Sequence, residues 1–331
     1  MNEQIQATLE GAKHIVVVQA DNPDADSLGS ALALEEILGG QGKEVSLYCG
    51  VQMPEYLRYL EGWDRVASEL PKQFDASIIV DASTYTLFEK LDRSGEFKWL
   101  QTKPCVVLDH HSTVEKQLDF TKLQLVDGSI SSTGELIFSL VSSFGWPVTL
   151  KAADYIMTAV LGDTQGLMND LTTASTYRLM AELTELGANR PRLEELRREY
   201  SKMSDIVYHY KGKLIEKTEF FMDGKIALVH VPQDEINTYS PLYNPAPLIQ
   251  ADMLQTQGVE VAVVLKSYDD GRVTAAIRSN LASPIAAQLA DHFGGGGHAN
   301  ASGFKVTDGR NVDQIKQECI ARATELLEAT K

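Results

Sequence analysis

Residues 14–38, HIVVVQADNPDADSLGSALALEEIL, contain the pattern that decides the fold. Residues 14–20 are a β-branched run that predicts a buried strand. After a polar loop, the apolar residues of 27–38 recur at helical spacing, and the glycines at 39–42 predict the end of that helix. A strand, an acidic loop and a helix in this order indicate a layered α/β domain.

The first half of the chain repeats this alternation of strands and helices. Further strands are predicted at residues 44–49, 76–81 and 105–108. Helices are predicted at residues 133–144, 151–161, 174–186 and 192–211. Because short apolar runs without alternation are typical of parallel strands buried on both faces, we expect an open parallel sheet covered by helices.

The pattern changes near residue 217. Two hairpins with Asp-Gly turns are predicted at residues 216–232 and 259–280. Helices follow at residues 245–255, 284–293 and 312–329. This half is therefore predicted to be a smaller α+β domain with a mixed or antiparallel sheet. We place the domains at residues 1–188 and 216–331, joined by a helical linker at 189–215, with a cleft between them.

Composition limits the classes of function. The chain has 331 residues, 44% of them hydrophobic and 23% charged, as expected for two globular domains. Its net charge of −16 disfavours binding to long nucleic acids, so a nucleic-acid partner should be short and held locally. No apolar run predicts a membrane span or a signal peptide, and three separated cysteines fit a reducing cytoplasm.

Acidic and histidine residues follow several strand and helix ends of the first half. They are Asp24 and Asp26 in NPDADS, Asp81 in IIVDAS, Asp109, His110 and His111 in VVLDHH, and Asp163 in LGDTQG. Ligands gather beyond the carboxyl ends of parallel strands, so we expect these groups in one crevice, where cations would offset their crowded charge. Oxygen and imidazole ligands without thiolates favour Mn(II), with Mg(II) as the alternative.

The same segments also have purely structural interpretations. Asp24 or Asp26 could cap the following helix, and Asp81 could be a turn residue at a strand end. The segment from Ser132 to Glu135 fits a capping box, and we interpret it that way. The two adjacent histidines are harder to explain structurally.

The second half contains a run of four glycines, Gly294 to Gly297, followed by His298. Glycines allow unusual dihedral angles and leave backbone amides free to surround an anion. Arg278 and His298 could add donors to a phosphate or carboxylate. Because no Lys-Ser or Lys-Thr follows, the run is not a P-loop, and a plain flexible loop is the structural alternative.

Taken together, these segments resemble the DHH phosphoesterase superfamily, in particular its short two-domain, NrnA-like members, which are nano-RNases and pAp phosphatases. The family takes its name from the motif at residues 109–111. NPDADSLGS resembles its first motif, IIVDAS its second and LGDTQG its fourth. FGGGGHANASG, with IRSN upstream, resembles the C-terminal DHH-associated domain. The motifs follow the family's order from about residue 14 to 306.

The resemblance implies a site with two Mn(II) ions. The implied ligands are a first-motif His, Asp24 and Asp81 for one ion, and Asp26, Asp81, His110 and Asp163 for the other. His111 would face the scissile phosphate, and Asp109 would orient a histidine. The implied substrate-binding residues are Arg278, Gly296, Gly297, His298 and Ser302.

One position departs from the family pattern. The first motif has a His four residues before its first Asp, where this chain has Ala20. One ion therefore lacks a ligand, unless the adjacent Asp21 or a water replaces the imidazole. The departure keeps open a catalytically weakened protein that binds nucleotides as a regulator.

The predicted function is two-metal hydrolysis of short RNA or DNA oligonucleotides, of dinucleotides such as pApA and pGpG, or of pAp. The resemblance implies Asp81, Asp109 and His111 as the catalytic residues. A cyclic-dinucleotide phosphodiesterase is the enzymatic alternative. We expect no long duplex and no membrane among the partners, and a homodimer is compatible with the sequence.

Overall fold

A computed structural model describes residues 1–111, 117–240 and 243–329, apart from the side chain of His298. The chain divides into two compact units, Met1–Lys202 and Met203–Lys331. The boundary lies inside the predicted linker.

The first unit alternates strands and helices, as predicted. Its helices are α1 (Asn2–Gly11), α2 (Ala25–Gly40), α3 (Glu89–Ser94), α4 (Phe97–Gln101), α5 (Thr133–Ser143), α6 (Leu150–Asp163), α7 (Ala174–Glu185) and α8 (Arg190–Tyr200). Its strands are β1 (His14–Gln19), β2 (Glu44–Cys49), β3 (Val66–Ala67), β4 (Ala76–Val80), β5 (Cys105–Asp109) and β6 (Leu123–Val126). Three 3-10 turns lie at Glu55–Leu57, Trp63–Arg65 and Tyr85–Leu87.

The six strands of this unit form one parallel sheet in the order β3-β2-β1-β4-β5-β6. Val17, on the central strand, pairs with Leu47 on one side and Ile78 on the other. All three are buried against the α2 face of the sheet. The order reverses direction between β1 and β4, which opens a crevice at the carboxyl ends of these two strands.

Helices α2 and α6 pack at very short range. A Cβ added to Gly29 would lie 2.7 Å from the carbonyl oxygen of Tyr155, and one added to Gly162 would lie 2.7 Å from the Cβ of Ala25. Any larger side chain at either position would force the two backbones apart. This close approach brings the start of α2 beside the end of α6.

The second unit is an α+β domain with a mixed sheet, as predicted. Its helices are α9 (Asp205–Lys217), α10 (Gln233–Tyr239), α11 (Pro245–Gln255), α12 (Ala286–His292) and α13 (Val312–Ala329). Its strands are β7 (Glu219–Phe221), β8 (Ile226–Val231), β9 (Val261–Ser267), β10 (Val273–Ser279), β11 (Gly296–His298) and β12 (Ala301–Val306). Their order is β11-β12-β10-β9-β8-β7, with β8 and β9 parallel and the other pairs antiparallel.

The prediction of a single helix over residues 192–211 is wrong. The structure has two helices there, because α8 ends at Tyr200 and α9 begins at Asp205. The Ser204 hydroxyl accepts the backbone N–H of Val207 and so caps α9. Each helix packs on its own unit, α8 on α6 and α9 on α11.

Within the described residues, no helix is both long enough and apolar enough to cross a bilayer.

Candidate metal centre

Four segments converge on the crevice between β1 and β4. Asp26 lies in the first turn of α2, and Asp81 directly follows β4. His110 directly follows β5, and Asp163 is the last residue of α6. Because parallel strands end at the same edge of the sheet and α6 runs back along α2, residues up to 137 positions apart in the sequence meet here.

The imidazole of His110 lies at the centre of the cluster. Its Nε2 is 2.7 Å from Asp163 Oδ2, 3.6 Å from Asp81 Oδ1 and 3.7 Å from Asp26 Oδ2. One ligand atom of each of these four residues lies within 4.8 Å of the others.

The tautomer that neutral His110 adopts suits a metal ligand. Its Nδ1 lies 3.4 Å from the carbonyl oxygen of Ile130, which can only accept a hydrogen bond, so the ring proton belongs on Nδ1. The buried Nε2 has no partner in hydrogen-bond geometry among the described residues. When the ring is neutral, its Nε2 lone pair faces three carboxylates, and this arrangement fits a divalent cation.

The carboxylate of Asp26 is held by the first turn of α5. Its Oδ2 accepts the backbone N–H of Thr133 at 2.6 Å, and its Oδ1 accepts that of Gly134 at 2.9 Å. Ser30 donates a third hydrogen bond at 3.1 Å. The free N–H groups of a helix start attract anions, so α5 fixes this side chain before any ligand binds.

Thr133 also connects Asp26 to Asp81. Its hydroxyl donates to Asp81 Oδ1 at 3.1 Å, while its backbone N–H binds Asp26. Asp81 has a left-handed backbone, with a φ of 57°. Left-handed residues other than glycine carry strain, which is typically found at functional sites, although aspartate tolerates it better than most residues.

Crowding shifts the pKa values of these groups. Burial and the charge of Asp163 raise the pKa of Asp26 to about 6, and burial and the charge of Asp26 raise that of Asp81 well above its ordinary value. Burial alone would lower the pKa of His110, but its ion pair with Asp163 and the charge of Asp26 outweigh burial and raise it to about 9. A bound cation would offset both the burial of these carboxylates and their mutual repulsion.

Asp109 forms hydrogen bonds with His111, the last residue of the motif. Its Oδ1 lies 2.7 Å from His111 Nδ1 and accepts the His111 backbone N–H at 3.2 Å, while the Ser83 hydroxyl donates to Oδ2. Burial raises the pKa of Asp109, but the bonds from His111 and Ser83 outweigh it and lower the pKa overall. The hydrogen bond to Asp109 in turn raises the pKa of His111. About half of the His111 side chain is exposed, so this oriented imidazole can reach a ligand.

The other residues of the first motif lie differently. Asp24 is the N-cap of α2 and accepts the backbone N–H of Ser27 at 3.0 Å, as its structural interpretation expects. Loss of solvent around it and the charge of Asp163 raise its pKa, so it lies near the cluster without being among the grouped ligands. Its role as a ligand stays a prediction.

Asp21 is not brought to the cluster. Its Oδ2 accepts the backbone N–H of Lys90 at 2.8 Å in the first turn of α3, and a Cβ on Gly50 would touch its Oδ1. Ala20 is buried in the core on the opposite face of the sheet from α2. The described contacts therefore show no carboxylate or imidazole in the place of the missing histidine.

The glycine run of the second unit forms part of an edge strand. Gly297 pairs with Ser302 and His298 with Ala301, while Ala301 pairs with Arg278 on its other side. A Cβ on Gly295 would lie 2.3 Å from the carbonyl oxygen of Gly303, so close packing against β12 requires a glycine there.

These strand pairings show which of the predicted substrate-binding residues lie on the same face of the sheet. Arg278 is exposed and shares a register position with His298, whose side chain lies outside the described residues. Ser302 pairs with buried Ile277, so strand alternation places it on the face opposite Arg278. Gly296 and Gly297 lie on the sheet edge, where the backbone N–H groups that do not face β12 can bind an anion.

The capping box predicted at residues 132–135 is only half formed. The Ser132 hydroxyl accepts the Glu135 backbone N–H at 3.1 Å, but the buried Glu135 carboxylate accepts from Ser131, Ser175 and Thr176 instead. Sequence reasoning missed that Thr133 and Gly134 hold Asp26. The available signal was the predicted helix start at residue 133, because the free backbone amides at a helix start attract acidic groups.

Comparison with known protein families identifies the class of this protein. Residues 14–160 match the DHH family, N-terminal domain, and residues 246–325 match the DHHA1 domain. The chain therefore carries a DHH domain and a DHHA1 domain, which confirms the resemblance inferred from the motifs.

Particular relatives cover nearly the whole chain. It is 26% identical over 307 residues to the bifunctional oligoribonuclease and PAP phosphatase NrnA of Thermus thermophilus, covering 92% of this chain and 88% of that protein. Its structure resembles an exopolyphosphatase-related protein from Bacteroides fragilis (TM-score 0.83, 22% identity, 99% and 97% of the chains). It also resembles RecJ in complex with Mn²⁺ from Thermus thermophilus (TM-score 0.55, 16% identity, 98% and 54% of the chains).

Proposed function

We propose that this protein is a two-metal phosphoesterase that hydrolyses short oligonucleotides, dinucleotides or pAp to mononucleotides. The observation that carries the proposal is the convergence of Asp26, Asp81 and Asp163 on Nε2 of His110. The similarity to NrnA over most of both chains supports the substrate class.

The ligand set supports Mn(II), with Mg(II) as the alternative. Asp26, Asp81, His110 and Asp163 would hold one ion, and Asp81 with Asp24 would hold the second. The mixture of carboxylates and one imidazole without thiolates fits Mn(II), and the RecJ neighbour was solved with Mn²⁺. When bound, such ions lower the pKa of a water to form a nucleophile and offset charge on the phosphoryl group.

The remaining roles follow from what each side chain contacts. Asp109 fixes the ring of His111, whose raised pKa keeps a positive charge available for a phosphate oxygen. Arg278, at the register position of His298, would bind a second phosphate or the substrate's terminal group. Because these groups bind a phosphate locally, the acidic net charge of the chain does not oppose a short substrate.

One observation favours a second candidate, a nucleotide-binding regulator with little turnover. Ala20 is buried and Asp21 is bonded to α3, so the second ion has fewer ligands than the family pattern supplies.

A cytoplasmic location also remains our proposal, supported by three buried cysteines that form no disulfide.

The test is a panel of 5′-labelled pApA, pApApA and pAp, incubated with Mn(II), Mg(II) or chelator. We expect Mn(II)-dependent release of mononucleotide or phosphate, and no turnover by Asp81→Asn. Asp127→Asn is the matched control, because Asp127 also follows a strand of the same sheet, and among the described residues its side chain bonds to Ser129 alone. Binding without turnover would select the regulator instead, and activity of Asp81→Asn would refute the two-metal site.

A further inference from the structure

A cavity of about 650 Å³ lies in the first unit between the end of α6 and helix α8. Its wall includes Ala25, between Asp24 and Asp26, and Gly162, beside Asp163. The cavity is therefore lined by residues adjacent in sequence to three acids of the candidate metal centre. Its volume is in the range of small-molecule sites, about 300–1,000 Å³.

The charge of this cavity is opposite to that of the chain. Its charged lining residues are Arg190, Glu194, Arg197 and Arg198, which give 3 − 1 = +2. Arg197 and Arg198 share the single carboxylate of Glu194. In a chain with a net charge of −16, a cationic cavity beside the metal centre indicates an anionic ligand.

Helix stability does not account for all of this charge. Arg197 and Arg198 lie in the last turn of α8, where cations favour the helix dipole. Arg190 is the first residue of α8, where a cation opposes the dipole. It donates one hydrogen bond to the carbonyl of Gly166 at 3.0 Å and pairs with no carboxylate among the described residues, so other N–H donors of its guanidinium remain available.

The loop after α6 presents an apolar side chain at the same cavity. Gln165, Gly166 and Leu167 are all left-handed, with φ values of 51°, 76° and 72°. The buried Thr164 holds this strained turn, since its hydroxyl and carbonyl oxygens accept the backbone N–H groups of Leu167 and Met168. The result is a Met168 that is 82% exposed. An exposed thioether makes favourable contacts with aromatic rings.

From these contacts we propose that the cavity between α6 and α8 binds a nucleotide unit beyond the one cleaved at the metal centre. Its phosphate would lie against Arg190 and Arg197, and its base against Met168. This inference rests on the proposed function and names a substrate subsite for it. If the subsite binds a second nucleotide unit, the affinity of the protein rises with the length of the substrate.

The test measures binding rather than turnover, so it stands even if the chain hydrolyses nothing. Calorimetry with phosphorothioate-linked adenylates of one, two and three nucleotides, in Mn(II), gives a dissociation constant for each length. We expect Arg190→Gln/Arg197→Gln to weaken binding of the trinucleotide about tenfold more than binding of the mononucleotide. Arg192→Gln is the matched control, because Arg192 lies on the same helix outside this cavity and pairs with Asp154.

Met168→Ser gives a second variant with little risk to folding, because the side chain is exposed. We expect it to weaken binding of the trinucleotide about threefold. Binding of an analogue without the distal base should be unaffected. Equal effects of the variants on all three lengths, or no effect on any, would overturn the subsite. So would a wild-type affinity that does not rise with length. Failure of the proposed function would instead be seen as absent turnover in the labelled panel.

Discussion

Replacing Thr133 by Val tests whether the metal centre depends on the helix start that supports it. Valine keeps the shape of the buried side chain and removes only the hydroxyl that donates to Asp81 at 3.1 Å. A hydrogen bond to a charged group contributes about 1.5–3 kcal/mol, and loss of a group that orients a ligand typically weakens metal binding about 10–100-fold. Because the Thr133 backbone N–H still holds Asp26, we expect the lower end, about tenfold.

The assay is a calorimetric Mn(II) titration of the chelator-treated protein, with thermal unfolding measured in parallel. Thr176→Val is the matched control, since the buried Thr176 hydroxyl donates to Glu135, also at 3.1 Å, outside the cluster. We expect both variants to lose about 1.5–3 kcal/mol of unfolding free energy, and only Thr133→Val to lose Mn(II) affinity. If both variants bind Mn(II) equally well, Thr133 does not position a metal ligand and the reasoning fails.

Three other predictions concern pH, Asp21 and Arg278. Because Asp26 has a pKa of about 6 instead of 3.8 and His110 one of about 9 instead of 6.5, the folded metal-free protein holds protons that the unfolded chain releases. Its stability should therefore fall as pH rises from 4 to 9, and the gain in melting temperature on adding Mn(II) should be larger at pH 8 than at pH 5. Asp21→Ala should cost up to about 1 kcal/mol through the lost bond to Lys90 and leave Mn(II) affinity unchanged; a large drop in affinity would make Asp21 a ligand. Arg278→Ala should raise KM for short oligonucleotides about tenfold without changing Mn(II) affinity, and a change in metal affinity alone would contradict its placement.

The sequence predicted the parts of the site that depend on local pattern. β-branched runs and helical spacing placed Asp26, Asp81 and His110 at element ends, and parallel strands bring such ends together. The contacts that hold them were not predictable in this way. The bond between Thr133 and Asp26 joins residues 107 positions apart, and no local periodicity shows which helix start will face which acid.

Two other differences have similar causes. Four consecutive glycines indicate a loop, but pairing with β12 makes Gly296–His298 a strand, and pairing partners lie outside any local window. The charged segment at 192–211 has continuous helical propensity, so the stop at Tyr200 depends on the cap at Ser204.

The close approach of Gly29 to Tyr155 sets the spacing between two acids of the candidate metal centre, although neither residue belongs to it. Asp26 begins the helix that carries Gly29, and Asp163 ends the helix that carries Tyr155. One methyl group at Gly29 would widen the gap between the two helices and so move the two carboxylates apart without touching either. Because the helices set this distance, we expect a substitution at Gly29 to change the ionic radius that the proposed site prefers, although Gly29 itself contacts no ion.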